Sequence, residues 1–155
     1  DWVLARARFF LSDEFKGNVE HVKGGAIGLD ELLNLMIFGI YQKAPPMVEL
    51  YTFNAVAWMG TDATLLKYED LVSNLRDLES PAAESYFERL LGLCGIRMPD
   101  DWRDRVRVGA DRKYSGTARE NLTGLPFEMP DRLSEQQRRL VDFAAPGLRS
   151  VLGYE

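Results

Sequence analysis

The sequence holds one cysteine, Cys94, and one histidine, His21, in 155 residues. A single thiol forms no intrachain disulfide, so the chain depends on packing alone, and the setting reads as a reducing, cytoplasmic one. Cys94 closes the apolar run Leu90-Leu91-Gly92-Leu93, where a buried structural thiol is expected. One histidine among scattered acids offers no set of three or four convergent ligands, so no metal site is expected. His21 is the only side chain that ordinarily titrates near neutrality. It sits in the polar stretch 18–25 and reads as a solvated surface residue rather than a base.

Long hydrophobic runs are also lacking. The longest, 32–41, is interrupted by Asn34 and falls short of the ~20 apolar residues that a membrane helix requires, and no secretory leader pattern precedes it. Positive charge is in deficit: 19 Lys and Arg against 24 Asp and Glu give a net charge of −5. That balance argues against a surface adapted to nucleic acid or to anionic lipid, so any anion site has to be local. What is present, 46% hydrophobic and 28% charged residues, is the composition of one soluble domain able to bury a core.

Along the chain, 2–11 has apolar residues at helical spacing but nothing in front of it to cap a helix, as though the sequence began inside an element. After the flexible Gly24-Gly25 and Gly28, Asp30 is placed to cap an apolar helix running to Tyr41. Pro45-Pro46 ends that helix before another run reaches Met59. Residues 63–68, preceded by the turn formers Gly60-Thr61-Asp62, suit a buried strand. Ser80-Pro81 supplies a cap and a first-turn proline for a helix with Tyr86, Phe87, Leu90, Leu91 and Leu93 on one stripe, stopped by Gly95. From Pro99 to Pro130 the sequence is polar and weakly periodic and reads as a long loop with short helical pieces. Ser134-Glu135-Gln136-Gln137 fits a capping box for a closing helix that Pro146-Gly147 breaks or restarts.

Two stretches carry candidate chemistry. Between Arg97 and Arg119 the cations Arg97, Arg103, Arg105, Arg107, Arg112, Lys113 and Arg119 outnumber Asp100, Asp101, Asp104 and Asp111. Within it, Arg112-Lys113-Tyr114-Ser115-Gly116 sets two cations beside a hydroxyl and a glycine, the groups that charge-assisted and backbone hydrogen bonds to a phosphate need. A solvated, ion-paired surface loop has the same composition. The second stretch, Leu65 to Leu71, would deliver Tyr68, Glu69 and Asp70 at the carboxyl end of a strand, where ligands of α/β folds gather; equally, the two acids suit the first turn of a helix.

The string "LLKYEDLVSN" followed by "YFERLLGLCGI" resembles the sulfotransferase pattern in which "YEDL" precedes an amphipathic helix ending in "FLG". "DRKYSGTARENLT" is similar to that family's "RKG..GDWK..FT" segment, "LGYE" resembles the C-terminus of many bacterial members, and "DWVLARARFF" resembles the helix after its "R-[DN]-P-R-D" motif. The resemblance spans nearly the whole chain. It implies a P-loop-like α/β fold, of which residues 1–155 are the mostly helical C-terminal portion of a single domain with about one core strand. It also implies binding of 3′-phosphoadenosine 5′-phosphosulfate (PAPS), or of its product adenosine 3′,5′-bisphosphate (PAP), and in-line sulfuryl transfer to a hydroxyl or amine of a small-molecule acceptor.

By that resemblance Tyr68 lies beside the adenosine, and Arg112, Lys113, Ser115 and Gly116 wrap the 3′-phosphate. Three positions depart from the pattern. Asp111 stands where the family has an arginine, Ala118 replaces its tryptophan, and Ala5 replaces a phosphate-binding serine, with Ser12 too far along to substitute. Nothing like "PKSGTT" occurs, so the loop for the 5′ end is expected to precede Asp1, on the same protein or on a separate chain. No catalytic residue is assigned, and these residues alone are expected to be inactive. Neither nucleic acid nor membrane is expected as a partner; a homo-oligomer is compatible with the pattern. A non-catalytic helical module that binds an anion, a nucleotide or another protein fits the same residues. Tyr41, Tyr51, Phe53 and Trp58 are either core or the lining for a hydrophobic acceptor.

Overall fold

The computed structural model describes residues 2–15, 24–115, 118–125 and 128–154. In chain order its helices are α1 (Trp2–Leu11), α2 (Leu29–Phe38), α3 (Met47–Asn54), α4 (Tyr68–Arg76), α5 (Pro81–Leu93), α6 (Trp102–Gly109), α7 (Glu135–Ala144) and α8 (Leu148–Val151), with 3₁₀ turns at Val56–Trp58, Arg112–Tyr114 and Arg119–Asn121. The chain divides into two compact units, Asp1–Ala63 with Gly116–Glu155, and Thr64–Ser115.

In the first unit α2 packs against α1, α3 and α7. Its sequence is apolar around most of the circumference, and Leu32, Leu33, Met36 and Ile37 are almost wholly buried. Burying such a side chain stabilises by about 1.5–3 kcal/mol, so a helix with four of them needs neighbours on more than one side. From α1 come Val3, Leu4, Ala7, Phe10 and Leu11, a single helical stripe. Arg6, beside that stripe, donates to the Met36 carbonyl at 3.2 Å and the Pro45 carbonyl at 3.0 Å. The Met36 carbonyl belongs to the last turn of α2, where the helix supplies no partner. The Arg6 guanidinium also lies 4.9 Å from the Trp2 ring centre and 5.5 Å from that of Phe10. Burial lowers its pKa from the usual value, without discharging a guanidinium.

The expected helix to Tyr41 stops three residues early, because Gly39 takes φ 86°. A β-carbon there would meet the Pro46 nitrogen at 2.7 Å and the Ala44 carbonyl oxygen at 2.8 Å. The chain reverses through a single bridge, Ile40 to Ala44, and Pro46 becomes the N-cap of α3. Asp30 does not cap α2. Gly28 does, and Asp30 sits in the first turn, where its carboxylate accepts from the Gln137 Nε2 at 2.9 Å. The capping box is present: Ser134 Oγ accepts from the Gln137 N–H at 3.2 Å, and Gln137 Oε1 accepts from the Ser134 N–H at 3.1 Å. Gly147, at φ 75°, restarts the chain as α8.

In the second unit Leu78, Phe87 and Trp102 form a small core, the two rings 5.3 Å apart. Ser80 Oγ caps α5 by accepting from the Ala83 N–H at 3.2 Å, and Gly95 at φ 69° ends the turn after it, both as expected. Residues 99–130 hold the expected short helical pieces, α6 and two 3₁₀ turns, among their described residues.

Two expectations are overturned. The P-loop-like α/β fold with a core strand is not what the chain adopts: the described residues are all-helical, with no strand and no sheet. A strand exists only through ladder hydrogen bonds to a neighbour. Among the described residues 63–67 form no strand and are exposed, and Tyr68 opens helix α4 instead of closing a strand. Cys94 is exposed at the C-cap of α5 rather than buried, because that helix buries only Ala83 and Phe87, in its first half, and leaves its C-terminal end, with Leu93, in solvent. No helix among the described residues is long and apolar enough to cross a membrane.

Ile37, fully buried, and Phe38, 44% exposed, are adjacent on α2. Ile37→Ala is expected to destabilise the chain by about 2–5 kcal/mol in urea unfolding, and Phe38→Ala by well under half of that.

Candidate functional site

The basic stretch separates into two groups. On α6, Arg103 donates to the Leu78 carbonyl at 3.0 Å and pairs with Glu84 at 2.6 Å and Glu79 at 3.5 Å. Arg107 binds Asp104 at 2.8 Å and also Glu79, and Arg105 binds Asp101 at 2.8 Å, one turn back. The Arg105 hydrogen bond holds the Asp101 carboxyl below its usual pKa, and Asp101 in turn raises that of Arg105. Arg103 and Arg107 thus tie α6 to Leu78, Glu79 and Glu84. This is the ion-paired outcome for three of the seven cations of the stretch, Arg103, Arg105 and Arg107.

Arg112 and Lys113 form the exposed 3₁₀ turn after α6, and Ser115 follows as its exposed C-cap. Asp111 organises the turn. Its Oδ1 accepts from the Lys113 backbone N–H at 3.1 Å, and its Oδ2 lies 3.0 Å from the Lys113 ammonium. The ammonium also stands 4.5 Å from the centre of the Tyr114 ring. Tyr114 first, then Asp111, raises the Lys113 pKa; the Lys113 side chain and backbone together hold the Asp111 carboxyl low.

A guanidinium, an ammonium and a hydroxyl on three exposed positions within four residues are a donor set of the kind that the terminal oxygens of a phosphate monoester accept from. They fit the 3′-phosphate end of PAP; these residues supply nothing for its 5′ end. Gly116, the remaining candidate, lies outside the described residues, as does His21. Tyr68 is 67% exposed, and among the described residues its hydroxyl has no hydrogen-bond partner and its ring touches no other ring. The structure therefore gathers Arg112, Lys113 and Ser115 on one turn and does not join Tyr68 to them by any such contact.

The positions that depart from the family pattern are also placed. Ala5 is exposed and brings no donor, and Ser12 is wholly buried with its hydroxyl donating to the Phe9 carbonyl at 2.8 Å, so neither replaces the expected serine. Of the aromatics weighed as acceptor lining, Tyr51 packs edge-on against Trp2 at 5.5 Å, whereas Tyr41, Phe53 and Trp58 are exposed. A surface crevice of about 580 Å³ is lined by Phe38, Tyr41, Lys43, Pro46 and Glu49 among others. Sequence reasoning had not given Asp111 a role. The available signal was its place two residues before Lys113, the reach at which an aspartate bonds the backbone of its own turn.

The sign of the pH dependence follows from the depressed Asp111 pKa. Its contribution to the turn is present above the ordinary carboxylate range and is lost as pH falls through the lowered midpoint. Lys113→Met removes the ammonium, so the Asp111 midpoint, followed by carboxyl ¹³C NMR, is expected to rise toward its ordinary value; an unmoved midpoint would dissolve the pair. No protein-family model matches the chain, no curated protein matches it, and no solved structure matches it.

Proposed function

We propose that this chain is part of a cytoplasmic PAPS-dependent sulfotransferase, and that its own residues hold the nucleotide end of the donor. In this reading Arg112, Lys113, Ser115 and Gly116 bind the 3′-phosphate and Tyr68 lies along the adenosine. What supports it is the ordered run of sequence resemblances, together with the exposure of Arg112, Lys113 and Ser115 on one turn. Sulfuryl transfer would form a sulfur bond to the acceptor's oxygen or nitrogen as the bond to the donor phosphate breaks, the acceptor proton leaving to a base. No such base is assigned in these residues, and the acceptor is a small molecule bearing a hydroxyl or amine.

The all-helical architecture favours a second reading, a non-catalytic helical module that binds an anion or nucleotide through the same turn. The 3′-phosphate separates the two. Calorimetric titration is expected to show PAP bound roughly ten- to a hundred-fold more tightly than 5′-AMP, the worth of one or two charge-assisted hydrogen bonds. Arg112→Ala with Lys113→Ala should abolish that preference. Equal affinity for the two nucleotides, or a preference that survives the double substitution, sinks the donor-site assignment and leaves the helical module.

A further inference from the structure

The Asp111 carboxylate already occupies the groups that a phosphate would use. One oxygen takes the Lys113 backbone N–H at 3.1 Å and the other takes the Lys113 ammonium at 3.0 Å. A phosphate oxygen arriving at this turn would seek the same two donors, one from the backbone and one charged. The pair is exposed, the lysine side chain at 63% and the aspartate at 38%, so it is held weakly and in exchange with solvent. It is strong enough to occupy the lysine and weak enough to be displaced.

We propose that Asp111 is a built-in competitor at the candidate phosphate site, an internal carboxylate that keeps Lys113 engaged until a doubly charged phosphate displaces it. The proposal deepens the donor-site reading above and rests on it for the identity of the ligand. Its consequence is selectivity by charge. A monoanion gains nothing over the carboxylate it must replace, whereas a phosphate monoester carries about −1.5 to −2 charges near neutrality and outcompetes it. Once displaced, Asp111 stays covalently beside the bound phosphate as a like charge, so it also weakens the final complex. The turn has a net charge of +1 from Asp111, Arg112 and Lys113, and neutralising the aspartate would raise it to +2 by simple subtraction.

Asp111→Asn is the informative substitution, because an asparagine side-chain oxygen still accepts from the Lys113 N–H and preserves the 3₁₀ turn while releasing the ammonium. Titration of PAP at low salt is expected to show binding roughly three- to ten-fold tighter for Asp111→Asn than for the unsubstituted chain, with the gain shrinking as salt is added. In a Lys113→Met background the same substitution should yield little gain, since there is no ammonium to release. Far-UV circular dichroism checks that every variant keeps its helices.

Unchanged affinity on Asp111→Asn, with PAP still bound, overturns the competitor and leaves the donor site standing. An equal gain in both backgrounds also overturns it, because the effect is then general charge and not release of Lys113. Inorganic tripolyphosphate, titrated in parallel, separates the two layers. If PAP binds neither form but tripolyphosphate binds Asp111→Asn more tightly, the competitor stands and the nucleotide reading falls. If neither anion binds either form, both fall.

Discussion

Helix α2 must be covered on several sides, and the first unit is arranged around that need. Leu32, Leu33, Met36 and Ile37 are all but inaccessible, and no single neighbouring helix could cover the helix that carries them. α1, α3 and α7 each supply part of the cover. Two polar devices fix how they approach. Arg6 binds carbonyls at the end of α2 and in the loop beyond, while Gln137 reaches from the first turn of α7 to Asp30 in the first turn of α2. Gln137 is buried, and its hydrogen bond to Asp30 satisfies an amide that would cost more left unpaired than such a bond contributes on balance. Gly39 does the rest by permitting a reversal that any side chain would block.

The second unit is held differently. Its core is three buried residues with a partly buried surround, too small to dominate, and around it runs a set of ion pairs linking α6 to Glu79 and Glu84. Exposed pairs of this kind contribute little singly, but networks with shared acids lose less side-chain entropy per contact. The functional consequence is a division of labour among the arginines and lysine. Arg103 and Arg107 link α6 to Glu79 and Glu84, whereas Arg105 and Lys113 each pair with an aspartate close by in sequence. The exposed turn after α6 is organised by Asp111, which accepts from the Lys113 N–H and pairs with its ammonium.

Departures from the sulfotransferase pattern acquire physical content at this point. Where the family pattern carries an arginine, this chain has a carboxylate that caps the turn and pairs with Lys113. Where the family carries a phosphate-binding serine, Ala5 offers a methyl group, and the hydroxyl of Ser12 is turned back into its own helix. The candidate site is consequently leaner in donors than the pattern from which it was identified, and its charge balance rests on three consecutive residues.

The sequence by itself determined the features that depend on local chemistry. The Ser80 cap with Pro81, the Ser134–Gln137 capping box, the restart at Gly147 and the stripes of α1 and α5 are legible because each is settled within a few residues by hydrogen bonds to nearby backbone or by helical periodicity. Tertiary structure decided what depends on distant partners. Residues 63–67 have the composition of a strand, but a strand needs a ladder, and none of the described residues provides one. Asp30 looked like a cap until Gln137, far along the chain, claimed its carboxylate. Arg103 and Arg107 look like Arg105 in sequence; they differ because folding brings Glu79 and Glu84 within reach of the first two, while Arg105 pairs one turn back with Asp101. Charge is written in the sequence, but which charges remain open to a ligand is fixed only when their neighbours are in place.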